Sequence, residues 1–254
     1  MKTSFSTADL LCLLMTLVWG ANMSITKHAL DELSPMAFNG ARMLVAPLLL
    51  WMIARRVEGP LLPRSGGIRR LLLLGFVGNT LYQLFFIFGL AWTKAGNVAL
   101  ILSFGTVLTA LMSRLLGHER LNRMVWAGIC ASLSGVLMIL YESAELGFGG
   151  PTLRGDLMIL GAAACWSFYT VFSRPEMRRY SPLRLTTLSL SAGGTIFTVF
   201  SAPSILRAPW GDVSSLTYGE LAYSSILSIA LGYLIWFSAI HRLGSTRTAI
   251  YGNL

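Results

Sequence analysis

The chain has 254 residues, 54% of them hydrophobic and only 12% charged, with a formal net charge of +9. That little charge cannot supply the polar surface a soluble protein of this size needs, so a soluble globular fold is excluded. In a soluble protein the positive excess would suggest nucleic acid. Here it follows the loops between apolar segments, so membrane topology accounts for it and no nucleic-acid partner is expected.

Charge-free runs occupy residues 10–26, 71–93, 95–113, 124–141, 157–173, 185–206 and 221–240, and an eighth run, 33–54, is interrupted only by Arg42. At a rise of ~1.5 Å per residue, about 20 apolar residues span a ~30 Å hydrocarbon core. Lipid leaves no partner for open backbone groups, so runs this long and apolar are helices. The expected fold class is an all-α polytopic membrane protein with eight full transmembrane helices. The first run follows Lys2 as in a signal peptide, but it is longer than a usual signal core and no small-x-small pattern follows before Lys27, so it is read as retained. Cys12, Cys130 and Cys165 lie inside spans without metal-type spacing and read as small buried apolar residues. His28, His118 and His241 are scattered. Neither a metal nor a cofactor is expected.

The orientation follows from the basic residues. Lys2 and the loops after spans 2, 4, 6 and 8 hold Arg55, Arg56, Arg64, Arg69, Arg70, Arg114, Arg120, Arg123, Arg174, Arg178, Arg179, Arg184, Arg242 and Arg247, which makes 15 of the 20 Lys and Arg. The opposite loops hold only Lys27, Lys94, Arg154 and Arg207. By the positive-inside rule the N-terminus is cytoplasmic.

Sliding the chain by 147 residues places Asp9 on Asp156, Trp19 on Trp166, and Ser34-Pro35 on Ser181-Pro182. Five spans separate equivalent positions, and an odd number inverts the second copy relative to the first. Two inverted five-helix repeats are expected, residues 1–146 and 147–254. Inverted repeats are the architecture of many secondary transporters, whose substrate site lies near the midplane between the halves. With an offset of 149, residues 248–254 match the start of span 4, so the second copy is expected to be cut short, with three full helices and the start of a ninth.

Candidate site residues come from polar and aromatic stripes on apolar helices. In span 1, Thr16, Trp19, Asn22 and Thr26 recur every three or four residues on one face, and span 6 repeats this with Trp166, Tyr169, Thr170 and Ser173. Span 3 adds Asn79, Tyr82, Gln83 and Phe86. Span 4 adds Ser103, Thr106, Thr109 and Ser113, and span 8 adds Ser225, Ser228, Tyr233 and Trp236. Such residues gain little from lipid, so they line a cavity or pack helices together. Gly128, Ser132 and Gly135 in span 5 read as packing. Arg42 inside span 2 either snorkels, bonds to backbone carbonyls, or recognises an anionic group. None of the eleven acids lies deep in a span, which leaves no obvious proton relay. No HExxH, GxSG or paired intramembrane aspartates occur, so intramembrane hydrolysis is excluded and no enzyme is expected.

Trp19-Gly20-Ala21-Asn22, Ser34-Pro35 and Arg42 resemble the first helix pair of an EamA domain, within the drug/metabolite transporter superfamily. Gly117-His118-Glu119-Arg120-Leu121 resembles that family's glutamate-bearing segment after helix 4, and residues 244–254 resemble its entry to helix 9. The resemblance covers essentially the whole chain. It implies ten helices in two inverted repeats, with helices 1, 3, 4, 6, 8 and 9 around a central cavity. It also implies alternating-access transport, often outward, of amino acids, other small metabolites or drug-like compounds. The partners implied are membrane lipid and a small-molecule substrate, in the plasma membrane of a bacterium. Thr106 stands where the family usually has proline. The alternative reading is a transport-inactive scaffold or fragment, because the second repeat stops at the start of helix 9.

Overall fold

The helix starts carry the same local signals in both halves of the chain. The computed structural model describes residues 6–61, 67–117, 123–145 and 151–252, so Glu119 lies outside the described residues. Ser6 caps α1 (Thr7–Ala29) in a capping box with Asp9. Ser34 caps α2 (Pro35–Glu58) and Ser181 caps α7 (Pro182–Arg207), each followed by proline at the first helical position, where its missing N–H costs nothing. The other helices are α3 (Ile68–Trp92), α4 (Ala95–Leu115), α5 (Arg123–Glu145), α6 (Pro151–Glu176), α8 (Ser215–Leu243) and α9 (Ser245–Tyr251).

All described regular structure is helical, and seven helices, α1 to α4 and α6 to α8, are long and apolar enough to cross a membrane. The remaining expected span, 124–141, lies in α5, a helix of 23 residues. Its glycines do not pack as expected: a Cβ added at Gly128 or Gly135 meets nothing within 4 Å, and Cys130 is exposed rather than buried. Gly128 and Gly135, seven residues apart on one face, and Cys130 on another therefore meet no neighbouring helix among the described residues.

The core runs between α2 and α7 and between α3, α6 and α8, where Phe38, Leu50, Tyr169, Leu190, Phe197 and Phe237 are fully buried. Small residues let the backbones approach. A Cβ on Gly193 of α7 would collide with the carbonyl oxygen of Gly75 in α3, and one on Gly78 would enter the ring of Tyr169. Where lipid removes the hydrophobic drive between helices, this close packing supplies the cohesion.

Two irregularities occupy related places. Residues Phe76–Leu81 of α3 and Ser224–Leu231 of α8 form π-helical turns, starting 148 residues apart. A π-turn widens the helix and disturbs its hydrogen-bond ladder. Side chains tie each turn to a neighbouring helix: Thr80, within the turn of α3, donates to the carbonyl of Gly193 in α7 at 2.8 Å, and Trp19 of α1 donates to that of Ser228, within the turn of α8, at 2.9 Å.

Two acids that the sequence placed only at helix entrances are fully buried. Asp9 accepts from Arg247 Nη2 at 2.9 Å, from the Tyr251 hydroxyl at 2.6 Å and from Ser6. Asp156, its counterpart at the 147-residue offset, accepts from Thr93 at 2.5 Å and Asn97 at 3.3 Å. Each joins the start of its own helix to that of α9 or α4 from the other half.

Candidate functional site

Between the two halves lies a cavity of about 650 Å³, walled by α1, α2, α3, α4, α6, α8 and α9. Five large rings meet on its wall. Trp19 and Trp166 contact edge to face with centroids 5.6 Å apart. Trp166 also packs on Tyr233 at 4.9 Å and on Tyr82 at 5.0 Å, while Trp236 lies 5.3 Å from Trp19. These separations fall in the favourable range for offset and edge-to-face aromatic pairs. The rings touch each other instead of facing across an empty gap, so they form one continuous surface.

Hydrogen bonds fix this surface in place. Trp19 Nε1 is held by Ser228, Trp236 Nε1 donates to Thr170 Oγ1 at 3.2 Å, and Gln83 Nε2 donates to the Tyr233 hydroxyl at 3.0 Å. Asn22 accepts from Ser224 at 2.7 Å, which ties α1 to the π-turn of α8. Polar stripes of the kind read from the sequence therefore join helices and border the cavity at once.

Of the residues singled out from sequence, Trp19, Asn22, Arg42, Tyr82, Gln83, Phe86, Ser103, Trp166, Tyr233 and Trp236 line the cavity. Asn79, Tyr169 and Thr170 lie behind the wall. Asn79 packs against Gly193, Tyr169 bonds Ser189 at 2.5 Å, and Thr170 supports Trp236. The physical reason is helix rotation: a residue three or four positions along a stripe can fall beneath a bulky neighbour. Sequence reasoning missed the small residues that make the void, Gly20, Gly96, Ala99, Gly105 and Ala163. Their signal was the absence of side-chain volume, which a search for polar atoms does not register.

Arg42 does not snorkel. It is 2% exposed, its Nη1 donates to Asn39 Oδ1 at 3.1 Å, and its guanidinium lies 5.5 Å from the Phe38 ring. Arg42 is the one charged residue on the cavity wall among the described residues.

The two ends of the cavity differ. At the end bearing Arg247, α9 is fastened down: Thr16 bonds the carbonyl of Tyr251 at 2.7 Å, Thr106 that of Ala249 at 2.9 Å, and Ser113 pairs with Ser245 at 3.2 Å. Toward the other end the wall continues to Ser24, Ala95 and Gly96 at helix termini. The arrangement can hold a small molecule against an aromatic face, beside a helix, α9, fixed to both α1 and α4.

A helical integral membrane protein with a central aromatic cavity is thus the class defined by fold and site. A model of the EamA-like transporter family matches residues 6–141 and 153–254, and the chain belongs to that family. It is similar to the uncharacterized transporter YyaM of Bacillus subtilis, 25% identical over 92% of this chain and 78% of that protein. It is also similar to an uncharacterized transporter of Archaeoglobus fulgidus, 28% identical over 97% of this chain and 84% of that one. A solved crystal structure shares the fold, with a TM-score of 0.70 and 18% identity over 98% of this chain and 85% of the other.

Proposed function

We propose that the protein transports small metabolites, amino acids or drug-like compounds outward across the bacterial inner membrane, by alternating access through the central cavity. The observation that carries this reading is the aromatic wall: Trp19 and Trp166, matched at the 147-residue offset, meet on one enclosed surface contributed by both halves. Family membership and the names of the relatives, both transporters, support transport over catalysis.

The architecture in this proposal is two inverted repeats, residues 1–146 and 147–254, with all eight long helices crossing the bilayer and the N-terminus cytoplasmic. Matched Ser-Pro helix starts, matched π-turns and matched buried aspartates support the repeat. In this proposal the α9 end is cytoplasmic and closed, and the cavity faces outward. Trp19, Asn22, Tyr82, Gln83, Phe86, Ser103, Trp166, Tyr233 and Trp236 contact substrate, and Arg42 recognises an anionic group. Asn79, Tyr169 and Thr170 act from behind the wall.

The test is flux in proteoliposomes loaded with candidate amino acids and aromatic metabolites. Wild-type protein should move at least one of them, and Trp19→Ala and Trp166→Ala should each abolish flux while the protein stays monodisperse. A folded wild-type chain with no flux for any of them would favour the inactive-scaffold reading.

A further inference from the structure

Asn39 gives the buried guanidinium its place. Its Nδ2 donates to the carbonyl of Gln83 in α3 at 3.3 Å, and its Oδ1 accepts from Arg42 Nη1 at 3.1 Å. Asn39 is wholly buried and Arg42 nearly so. Asn39 and Arg42 share one face of α2, three residues apart, so the amide braces the guanidinium against the neighbouring helix.

That brace orients the charge without neutralising it. Arg42 Nε is buried with no hydrogen-bond partner, and no carboxylate lies within 4.0 Å of the guanidinium among the described residues. Gln83 presents a second open group: its Nε2 is committed to Tyr233, while its Oε1 is buried without a donor. Both side chains border the cavity. A buried cation without a counter-charge is costly, and so is a buried acceptor without a donor. A ligand that brings an anion and a neutral donor such as a hydroxyl satisfies both without placing a second cation beside the guanidinium.

The wall also says what is not provided. It carries no aspartate or glutamate among the described residues, so a ligand's ammonium group finds neutral acceptors and ring faces but no counter-ion. A guanidinium matches a carboxylate in shape and supplies charge-assisted hydrogen bonds.

Resting on the reading of this cavity as the substrate site, we propose that it selects small organic anions with an aromatic or apolar body over zwitterions and cations. Arg42 binds the anionic group, Gln83 Oε1 accepts from a neighbouring donor on the same compound, and Asn39 is a positioning residue that holds the guanidinium toward the cavity.

The test is calorimetric binding to the 254-residue chain in nanodiscs, using four probes that share one phenyl body: 3-phenyllactate, 3-phenylpropionate, phenylalanine and phenethylamine. The two anions should bind on the order of tenfold or more tighter than phenylalanine and phenethylamine, the size of one charge-assisted hydrogen bond, and phenyllactate should bind tightest. Arg42→Gln should erase that order. Asn39→Asp, which keeps the shape and supplies an internal counter-ion, should weaken both anions about tenfold or more and leave phenethylamine unchanged or improved. Equal weakening of all four probes by Asn39→Asp would mark a merely structural role and overturn the assignment. Wild-type protein that prefers phenylalanine or phenethylamine, or binds none of the four, overturns the anion selectivity. Flux of the same probes in liposomes separates the two readings. Probes bound in the expected order but not carried would defeat transport alone, whereas carriage of phenethylamine ahead of phenyllactate would defeat the selectivity alone.

Discussion

The indole Nε1 of Trp19 in α1 donates to the backbone carbonyl of Ser228 inside the π-turn of α8, at 2.9 Å. Gly232, one turn on, makes the approach possible, since a Cβ there would stand 2.5 Å from the same nitrogen. The π-turn, the glycine and the indole form one joint between the first and eighth helices, and the aromatic wall is built upon it.

Trp19→Phe keeps an aromatic body but removes the donor, leaving a carbonyl in a disturbed ladder without its partner. The expected cost is about 1 kcal/mol, in the range of interhelical hydrogen bonds in membranes. Reversible denaturation in mixed micelles measures it, and equal stability of the two proteins would show that the bond contributes nothing net.

Gly193→Val tests the α3–α7 crossing. Its obstacle is the backbone of Gly75, which cannot rotate aside, so the helices must separate at a cost of about 1–3 kcal/mol or more. Gly20→Ala is the control, because nothing lies within 4 Å of a Cβ there. Size-exclusion profiles and melting should show loss of folded protein for the first and none for the second.

Asp9 anchors Arg247 and Tyr251, and so holds α9 at the end of the cavity proposed to be closed. Asp9→Asn leaves the shape but removes the charge from both bonds. The labelling rate of a thiol introduced by Ser245→Cys, at a fully buried position, should then rise about tenfold. An unchanged rate would show that the remaining hydroxyl bonds alone keep this end shut.

The split of basic residues sets the expected topology. On a background lacking Cys12, Cys130 and Cys165, an impermeant thiol reagent applied to intact cells should label Gly211→Cys and spare Arg178→Cys, two exposed positions on opposite sides of α7. The reverse pattern would invert the orientation and make the cavity face the cytoplasm.

Span positions, helix starts and the family were legible in the amino-acid sequence because each depends on local chemistry. A run without charge must be helical in lipid whatever packs beside it, and Ser followed by Pro starts a helix at residues 34 and 181 alike. The Trp19 and Trp166 stripe was also visible, since polar and aromatic residues at helical spacing mark a face that avoids lipid.

Depth within that face was decided only by the tertiary structure. Trp166 reaches the cavity and Tyr169 does not, because the rotation of α6 against α3 places the tyrosine ring over Gly78. The void itself depends on small residues from several helices meeting at one level, and the burial of Asp9 and Asp156 depends on partners 242 and 59 residues away. Arg42 was readable as a charge in a span. The absence of a counter-ion beside it among the described residues, and its brace on Asn39, came from which helices stand beside α2, since a hydrogen bond is a relation between atoms that the folded backbone brings within about 3 Å.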